Sequence, residues 1–421
     1  MYRKITVFLT IVALTTLLAG CGAKETDDVA YVIGLGIDKT EQGKVKVTYR
    51  IMVPRAVGGT QGAGQEVRGG PNTATSYIAP NTAEAFNLLS TGTSRHINLT
   101  HLKGIIIGEA LAREGVSDII TVMRRYREYR GSMFINVAKG RAEDFMLNNN
   151  PKLDYVLSKF WESFMETSES SSYYRKAELH DFFVDLKSLG GGSPYANYIT
   201  INPLTGEDKP AGKRLPGERV DAYLPGNIPR TGAENPTEFA GLAIFSGDKM
   251  VGTLDTTETR IFAILKNNLS RGLLVMDDPL EPKKAININL RNGSKPKIEV
   301  DMVDGREVIR IDVFLEGDLT GIPSGINYEK GDKRELLEAE ISDLVKRQIQ
   351  EFLRHTQALG CDVFGFGYHL RNKFSSYDEM KKVNFVELYR SAESQVQVTT
   401  KIRRTGVMWR TSPNQPQVTS P

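Results

Sequence analysis

The chain of 421 residues has only 2 cysteines, Cys21 and Cys361. A disulfide framework is excluded, so the fold must be held by its core, which a chain of this length can bury. An excess of one charge is also missing: 54 Lys and Arg stand against 51 Asp and Glu. No strong field favours nucleic acid or an acidic lipid surface. Histidine is sparse, with 5 residues: His96, His101, His180, His355 and His369. None stands near another His, a Cys or a carboxylate at a spacing such as His-Glu-x-x-His, so no metal site and no cofactor are assigned. Gly-x-Ser-x-Gly is absent, and no Ser-x-x-Lys sits in a suitable context, so no catalytic residues are assigned either. No apolar run reaches the roughly 20 residues that a membrane-spanning helix needs.

What is present begins at the N-terminus. Arg3 and Lys4 precede an apolar run from Ile5 to Leu17, and Leu18-Ala19-Gly20-Cys21 comes next. A charged start, an apolar middle and small residues before a cut are the marks of a secretory signal. Leu18-Ala19-Gly20-Cys21 resembles the bacterial lipobox at every position. The resemblance implies a diacylglyceryl group on the Cys21 thiol and cleavage before it. Residues 1–20 are then a lipoprotein signal peptide and 21–28 a lipidated tether; the alternative is a plain signal with an incidental cysteine. Cleavage removes two cations and no acid, which leaves the mature chain close to neutral.

Val29 to Asp38 is apolar and β-branched and predicts a buried strand. Lys44 to Val53 alternates, which predicts a hairpin partner with one wet face. Pro54 to Pro80 is rich in Gly, Thr and Gln and reads as a long loop. Helices are expected over 82–91, 115–127, 141–148, 152–164 and 177–186, with strands over 102–108 and 131–137. These pieces mix without the regular strand–helix beat of a doubly wound sheet. Residues 29–201 form an N-terminal α+β region of one or two small domains. Residues 202–236 carry prolines 203, 210, 216, 225, 229 and 236 and read as a connection with a mobile tip. A C-terminal α+β domain is expected over 237–409. It opens with strands 240–245 and 250–254, then a helix started by an Asp255/Glu258 capping box. Strands 285–290, 295–302 and 308–316 are joined by Asn292-Gly293 and Asp304-Gly305, the usual hairpin chemistry. The strongest helical period runs from Arg334 to Leu359, with Leu336, Ile341, Leu344, Ile349 and Phe352 in one stripe. A strand at 396–402 comes after it, and the tail 410–421 reads as disordered. The whole is α+β and multi-domain, with mixed and antiparallel sheets packed by helices.

Isolated features carry little chemistry. Gly34-Leu35-Gly36 lies inside a strand and lacks a third glycine, so it reads as close backbone approach or a bulge, not a phosphate loop. Asp277-Asp278 reads as a solvated turn. Cys361, between Gly360 and Val363-Phe364, reads as a buried structural thiol. Arg124-Arg125-Tyr126-Arg127-Glu128-Tyr129-Arg130 reads as a solvated face or a protein contact.

Several stretches, in order, are similar to the Ger(x)C family, the lipoprotein C-subunits of spore-germination nutrient receptors. They are the lipobox, Ile33-Gly34-Leu35-Gly36-Ile37-Asp38, and Leu102 to Glu109 with Ala112-Arg113-Glu114-Gly115. Ala138-Lys139-Gly140-Arg141-Ala142, Ala240 to Phe245 with Val251 to Leu254, Cys361 to Gly367, and Val396 to Gly406 continue the series. The chain departs from the pattern in having no Trp over 23–28, and Phe385 or Tyr389 where a Trp is expected. The resemblance implies an α+β fold of three small domains with unusual topology. It implies an integral-membrane A subunit and a transporter-like B subunit as partners, in the spore inner membrane, and a response to nutrients. It transfers no catalytic residue, and leaves open which residues, if any, bind a nutrient. Two other readings remain beside it: a solute-binding lipoprotein of a transporter, which needs two doubly wound lobes, and an exported enzyme with a dispersed site.

Overall fold

The structure, a computed structural model, describes residues 2–3, 5–6, 28–52 and 72–404, less 152, 154–156, 213, 233–234 and 330. Cys21, residues 54–71 of the expected loop and the tail 410–421 lie outside the described residues.

The apolar run after the tether forms β1 (Val29–Lys39), with Val32, Ile33, Leu35 and Ile37 buried. A turn at Thr40 to Gly43 returns the chain as β2 (Val45–Met52), antiparallel to β1. Then comes β3 (Asn72–Ala79), antiparallel to β2, where the sequence suggested loop as far as Pro80. It is an edge strand of Thr, Ser and Tyr with no apolar face of its own, so periodicity did not reveal it.

The chain continues through α1 (Thr82–Leu89), β4 (His96–Asn98), β5 (Gly104–Gly108), α2 (Glu109–Glu114) and α3 (Ser117–Arg125). After these come β6 (Phe134–Ala138), α4 (Ala142–Asn148), α5 (Leu157–Glu166), α6 (Leu179–Lys187) and β7 (Tyr195–Ile201). The helix expected over 115–127 forms as α3, and a further short helix, α2, precedes it, ended at Gly115, whose φ of 142° no helix admits. Strands β1, β5, β6 and β7 are parallel neighbours with helices in the crossovers. A strand–helix beat is therefore present, contrary to the sequence reading; crossovers of two and three short helices obscured it. Both faces of these strands are covered. Ile105, Ile107, Ile135 and Val137 enter one core, and Ile106 and Phe134 enter the other with Phe145 and Trp161.

β8 (Thr237–Ser246) and β9 (Lys249–Leu254) extend the same sheet antiparallel beyond β7. The sheet has nine strands in the order β3-β2-β1-β5-β6-β7-β8-β9, with β4 beside β1. The change of sheet falls after α7 (Thr256–Leu265), not at 237. The second sheet contains β10 (Gly272–Asp277), β11 (Ala285–Asn292), β12 (Lys297–Val303) and β13 (Arg306–Gly321) in the order β10-β11-β13-β12. Helices α8 (Asp332–Leu359), α9 (Phe366–His369), α10 (Tyr377–Met380) and α11 (Phe385–Arg390) precede β14 (Glu393–Arg404), which runs parallel along β13.

The hairpin at Asp304-Gly305 forms, with φ of 51° and 79°. The one expected at Asn292-Gly293 does not: β11 pairs with β10 and β13, not with β12. There Asn292 donates its Nδ2 to Ile264 O at 2.9 Å, and a Cβ on Gly293 would meet the Phe314 ring at 2.6 Å. The dipeptide serves side-chain packing instead of a tight turn. Helix α8 buries Leu337, Ile341, Leu344, Val345, Ile349, Phe352 and Leu353 in the second core, beside β14 and α7. Leu336, expected in that stripe, is 36% exposed. Glu338, outside the expected apolar stripe, is buried and accepts from Lys401 Nζ at 2.7 Å and Ile402 N at 2.9 Å. The architecture is α+β, with mixed and antiparallel pairing and helices packed on both sheets.

Candidate functional site

Residues 202–236 are not a loose connection. Asn202 Nδ2 donates to Glu238 Oε1 at 2.8 Å, and Gly226 N donates to Glu238 Oε2 at 2.6 Å. Arg219 N donates to Val275 O at 3.0 Å and Asp277 N to Gly217 O at 2.8 Å, so 217–219 lies along the edge strand β10. Prolines suit such a path because they fix bends and demand no donor partner.

Between this segment, the start of α7 and the middle of α8 lies a cleft of about 990 Å³. Glu218 reaches its floor, and its side chain and that of Arg260 are 3% and 1% exposed. Glu218 Oε1 accepts from Gln348 Nε2 at 2.8 Å, Arg260 Nη2 at 3.3 Å and Thr257 Oγ1 at 3.3 Å. The pair is thus neutral as a whole and bound at several points, the condition under which a buried charge is tolerated. At the wall, Asp255 caps α7 in the box read from the sequence. Its Oδ1 accepts from Glu258 N at 2.9 Å, and Glu258 Oε2 accepts from Asp255 N at 3.0 Å. The other oxygen of Glu258 meets His355 Nδ1 at 2.5 Å. Burial first, and the neighbouring Glu258 carboxylate second, raise the Asp255 carboxyl above its ordinary range. The hydrogen bond to Glu258 raises His355 against the opposing effect of burial.

Sequence reasoning missed this convergence. The capping box was legible, but Glu218 lay in a stretch read as a connection, and the apolar stripe read along α8 did not include Gln348. Of the five histidines, only His355 lines the cleft. Among the described residues no group of three or more His, Cys, Asp or Glu is arranged to hold a metal ion. Cys361 is buried, donates to Phe245 O at 3.2 Å and is pushed by burial up to about 12, so it stays a thiol. Asp278 is not a solvated turn but is buried, accepting from the Tyr328 hydroxyl at 2.5 Å. In the basic run Arg125, Arg127 and Arg130 are exposed, while Arg124 lies 5.4 Å from the centre of the Phe183 ring and Tyr126 packs edge-on to Tyr129.

Residues 22–201 match the family model of the spore germination protein N-terminal domain. Residues 240–406 match that of the spore germination B3/GerAC-like C-terminal domain. The chain belongs to the Ger(x)C family of spore germination proteins. Spore germination protein KC of Bacillus subtilis (strain 168) is 24% identical over 97% of both chains. Spore germination protein B3 of the same organism is 23% identical, over 93% of this chain and 96% of its own. The crystal structure of the GerBC protein superposes with a TM-score of 0.51 at 18% identity, covering 88% of this chain and 96% of that one. That last likeness is one of fold.

In this Ger(x)C chain the Ile33-to-Asp38 stretch is structural. A Cβ on Gly36 would come within 2.9 Å of Met146, and one on Gly34 within 3.0 Å, so both glycines let α4 lie close on β1. Asp38 then caps α4 from a distance, accepting from Ala142 N at 2.7 Å and Glu143 N at 2.9 Å.

Proposed function

We propose that this chain is the lipid-anchored C subunit of a nutrient germinant receptor. In this reading it lies on the extracytoplasmic face of the spore inner membrane and acts by assembling with membrane A and B subunits, not by catalysis. The observation that carries the reading is the order of parts: a lipobox-like Leu18-Ala19-Gly20-Cys21 directly before two consecutive spore-germination domains. No helix among the described residues is long and apolar enough to cross a membrane. A diacylglyceryl group on Cys21 supplies two acyl chains, at about 0.8 kcal/mol per buried CH₂, and two chains suffice for stable anchoring. Tethering then raises the local concentration of the domain beside its membrane partners.

Replacing residues 1–21 by an ordinary secretory signal tests this. The released chain should leave the membrane fraction, and germination with the cognate nutrient should weaken or fail. A lipid-free chain that still sediments wholly with membranes lacking the A and B subunits, or a deletion strain with unchanged germination on every nutrient and no sister receptor, overturns the reading.

A further inference from the structure

The chain is near neutral as a whole, but its cations gather at one end of the first sheet. Strands β1, β5 and β6 are parallel, so all three start at that end, and β4 joins them with His96 beside Val29. The chain enters β4 and β5 through 95–103 and β6 through 124–131. Those two stretches hold six Lys and Arg (Arg95, Lys103, Arg124, Arg125, Arg127, Arg130) and one acid, Glu128. Leu99 N donates to Glu128 Oε2 at 3.0 Å and Phe134 N to Lys103 O at 2.8 Å, so the two stretches lie side by side. Lys103 pairs with Glu162. Among the described residues no carboxylate is ion-paired with any of the five arginines, and Arg125, Arg127 and Arg130 are exposed. The positive field reaches His101: loss of hydration first, then the charges of Arg130 and Lys103, lower its pKa.

The same end is where the chain arrives from Cys21. Val29 stands eight residues after Cys21, a reach of about 28 Å at full extension. Tyr31 meets the His101 ring at 4.9 Å between centres, so the basic rim adjoins the point of entry. The tether itself carries Lys24 against Glu25, Asp27 and Asp28, so attraction to an acidic surface has to come from the rim. Arginine suits such a surface because its planar fork takes phosphate oxygens in pairs. Tyr126, 43% exposed among these arginines, has the apolar ring and polar tip that favour the headgroup level.

We propose that Arg125, Arg127 and Arg130, with Tyr126 among them, rest on anionic phospholipid headgroups and fix how the anchored domain stands on the membrane. The proposal rests on the lipid anchor of the preceding section for the position of the bilayer. A contact of a few cations is dispersed by salt, so it orients an anchored chain and does not hold a lipid-free one in place of the anchor.

The test is flotation of the mature chain, residues 21–421 with Cys21→Ser so that no lipid attaches, with vesicles. One set is equal parts phosphatidylglycerol and phosphatidylcholine; the other is phosphatidylcholine alone. In about 50 mM salt the chain should partition onto the anionic vesicles at least about tenfold more strongly, and in about 500 mM salt the difference should vanish. Arg125→Gln, Arg127→Gln and Arg130→Gln together should weaken that partition about tenfold or more. The melting temperature should not move, because all three side chains are exposed. Lys283→Gln, Lys295→Gln and Lys297→Gln together remove three exposed cations beside the second sheet and should leave the partition within about twofold of the parent. Equal partition onto both vesicles, binding that salt does not weaken, an unchanged partition in the folded arginine variant, or an equal loss in the lysine variant overturns the proposal. So does an arginine variant that fails in germination while the parent ignores anionic vesicles, which assigns the rim to a protein partner. No lipid on Cys21 enters this readout, so it can fail while the anchor stands and succeed while the anchor fails.

Discussion

Glu218 sits where three donors converge on one carboxylate oxygen, with almost no contact with water. Removing it leaves the Arg260 guanidinium buried without its counter-ion. Glu218→Ala should therefore cost about 3–5 kcal/mol, read from urea unfolding. Other buried carboxyls set the pH dependence. Burial raises Glu307 to about 7, with Asp362 adding to the effect; burial also raises Asp185 to about 6 and Asp362 to about 6. In the unfolded chain such groups lose their protons near pH 4, so between there and neutrality the folded state binds more protons than the unfolded one. Stability must then fall as pH rises through that window. His355, also raised, acts in the same direction. Glu338 opposes them at the acid end: burial raises it, but Lys401 and the Ile402 N–H more than offset that and hold it low. Its contribution is lost only as pH drops below the ordinary carboxylate range. The melting temperature should be higher near pH 5 than near pH 8, and Glu307→Gln should flatten the difference. A profile that rises from pH 5 to pH 8 would contradict this account. These residues show what one sequence reveals at this scale. The Asp255/Glu258 box was legible because its partners are 3 residues apart. Glu218 and Gln348 were not, because their partnership spans 130 positions and only the fold brings them together.

At the scale of elements, α8 was the most legible piece because its apolar residues recur with the helical period over 28 residues. Its register slipped only at the edge of the stripe, at Leu336 and Glu338. Leu344 is 1% exposed in the second core. Leu344→Asp should destabilise by about 4 kcal/mol or more, through both lost apolar burial and a stranded charge, and the thermal transition should reveal it. An unchanged transition would place the stripe against solvent or a partner. Short elements were harder. β3 has no apolar stripe, and the crossover helices α4, α5 and α6 are each 10 residues or fewer, so their order as a parallel α/β core did not stand out. Asn292-Gly293 shows the converse failure. A dipeptide with strong turn preference was used for a contact with α7, because the neighbour of β11 in space is β13, not β12.

The molecule as a whole is joined by more than a linker. The first sheet is completed only by β8 and β9, which lie beyond the segment 202–236. Cys361 after α8 reaches back to Phe245 in β8, so the two cores touch at that point. A fragment ending at 236 would expose the whole edge of β7, whereas one ending at 254 would keep it covered. Expressed alone from residue 22, the shorter fragment should aggregate or fail to show a cooperative transition, and the longer one should be the more soluble and protease-resistant of the two. Equal behaviour of the two would mean that β8 adds nothing to the first sheet. The multi-part α+β plan was legible from composition and period. The place where one sheet gives way to the other was not, because strand partners are chosen by tertiary packing and leave no local mark.

The parallel pairing of β13 with β14 has a genetic consequence. Residues 308–318 find their neighbours at 393–404, after four intervening helices. Parallel partners so far apart close a long loop late in folding. A chain cut after residue 392 keeps more than nine-tenths of these 421 residues, yet leaves the longest strand of the second sheet bare along one side. A nonsense mutation just before the codons of β14 should therefore be as complete a loss as one within β1.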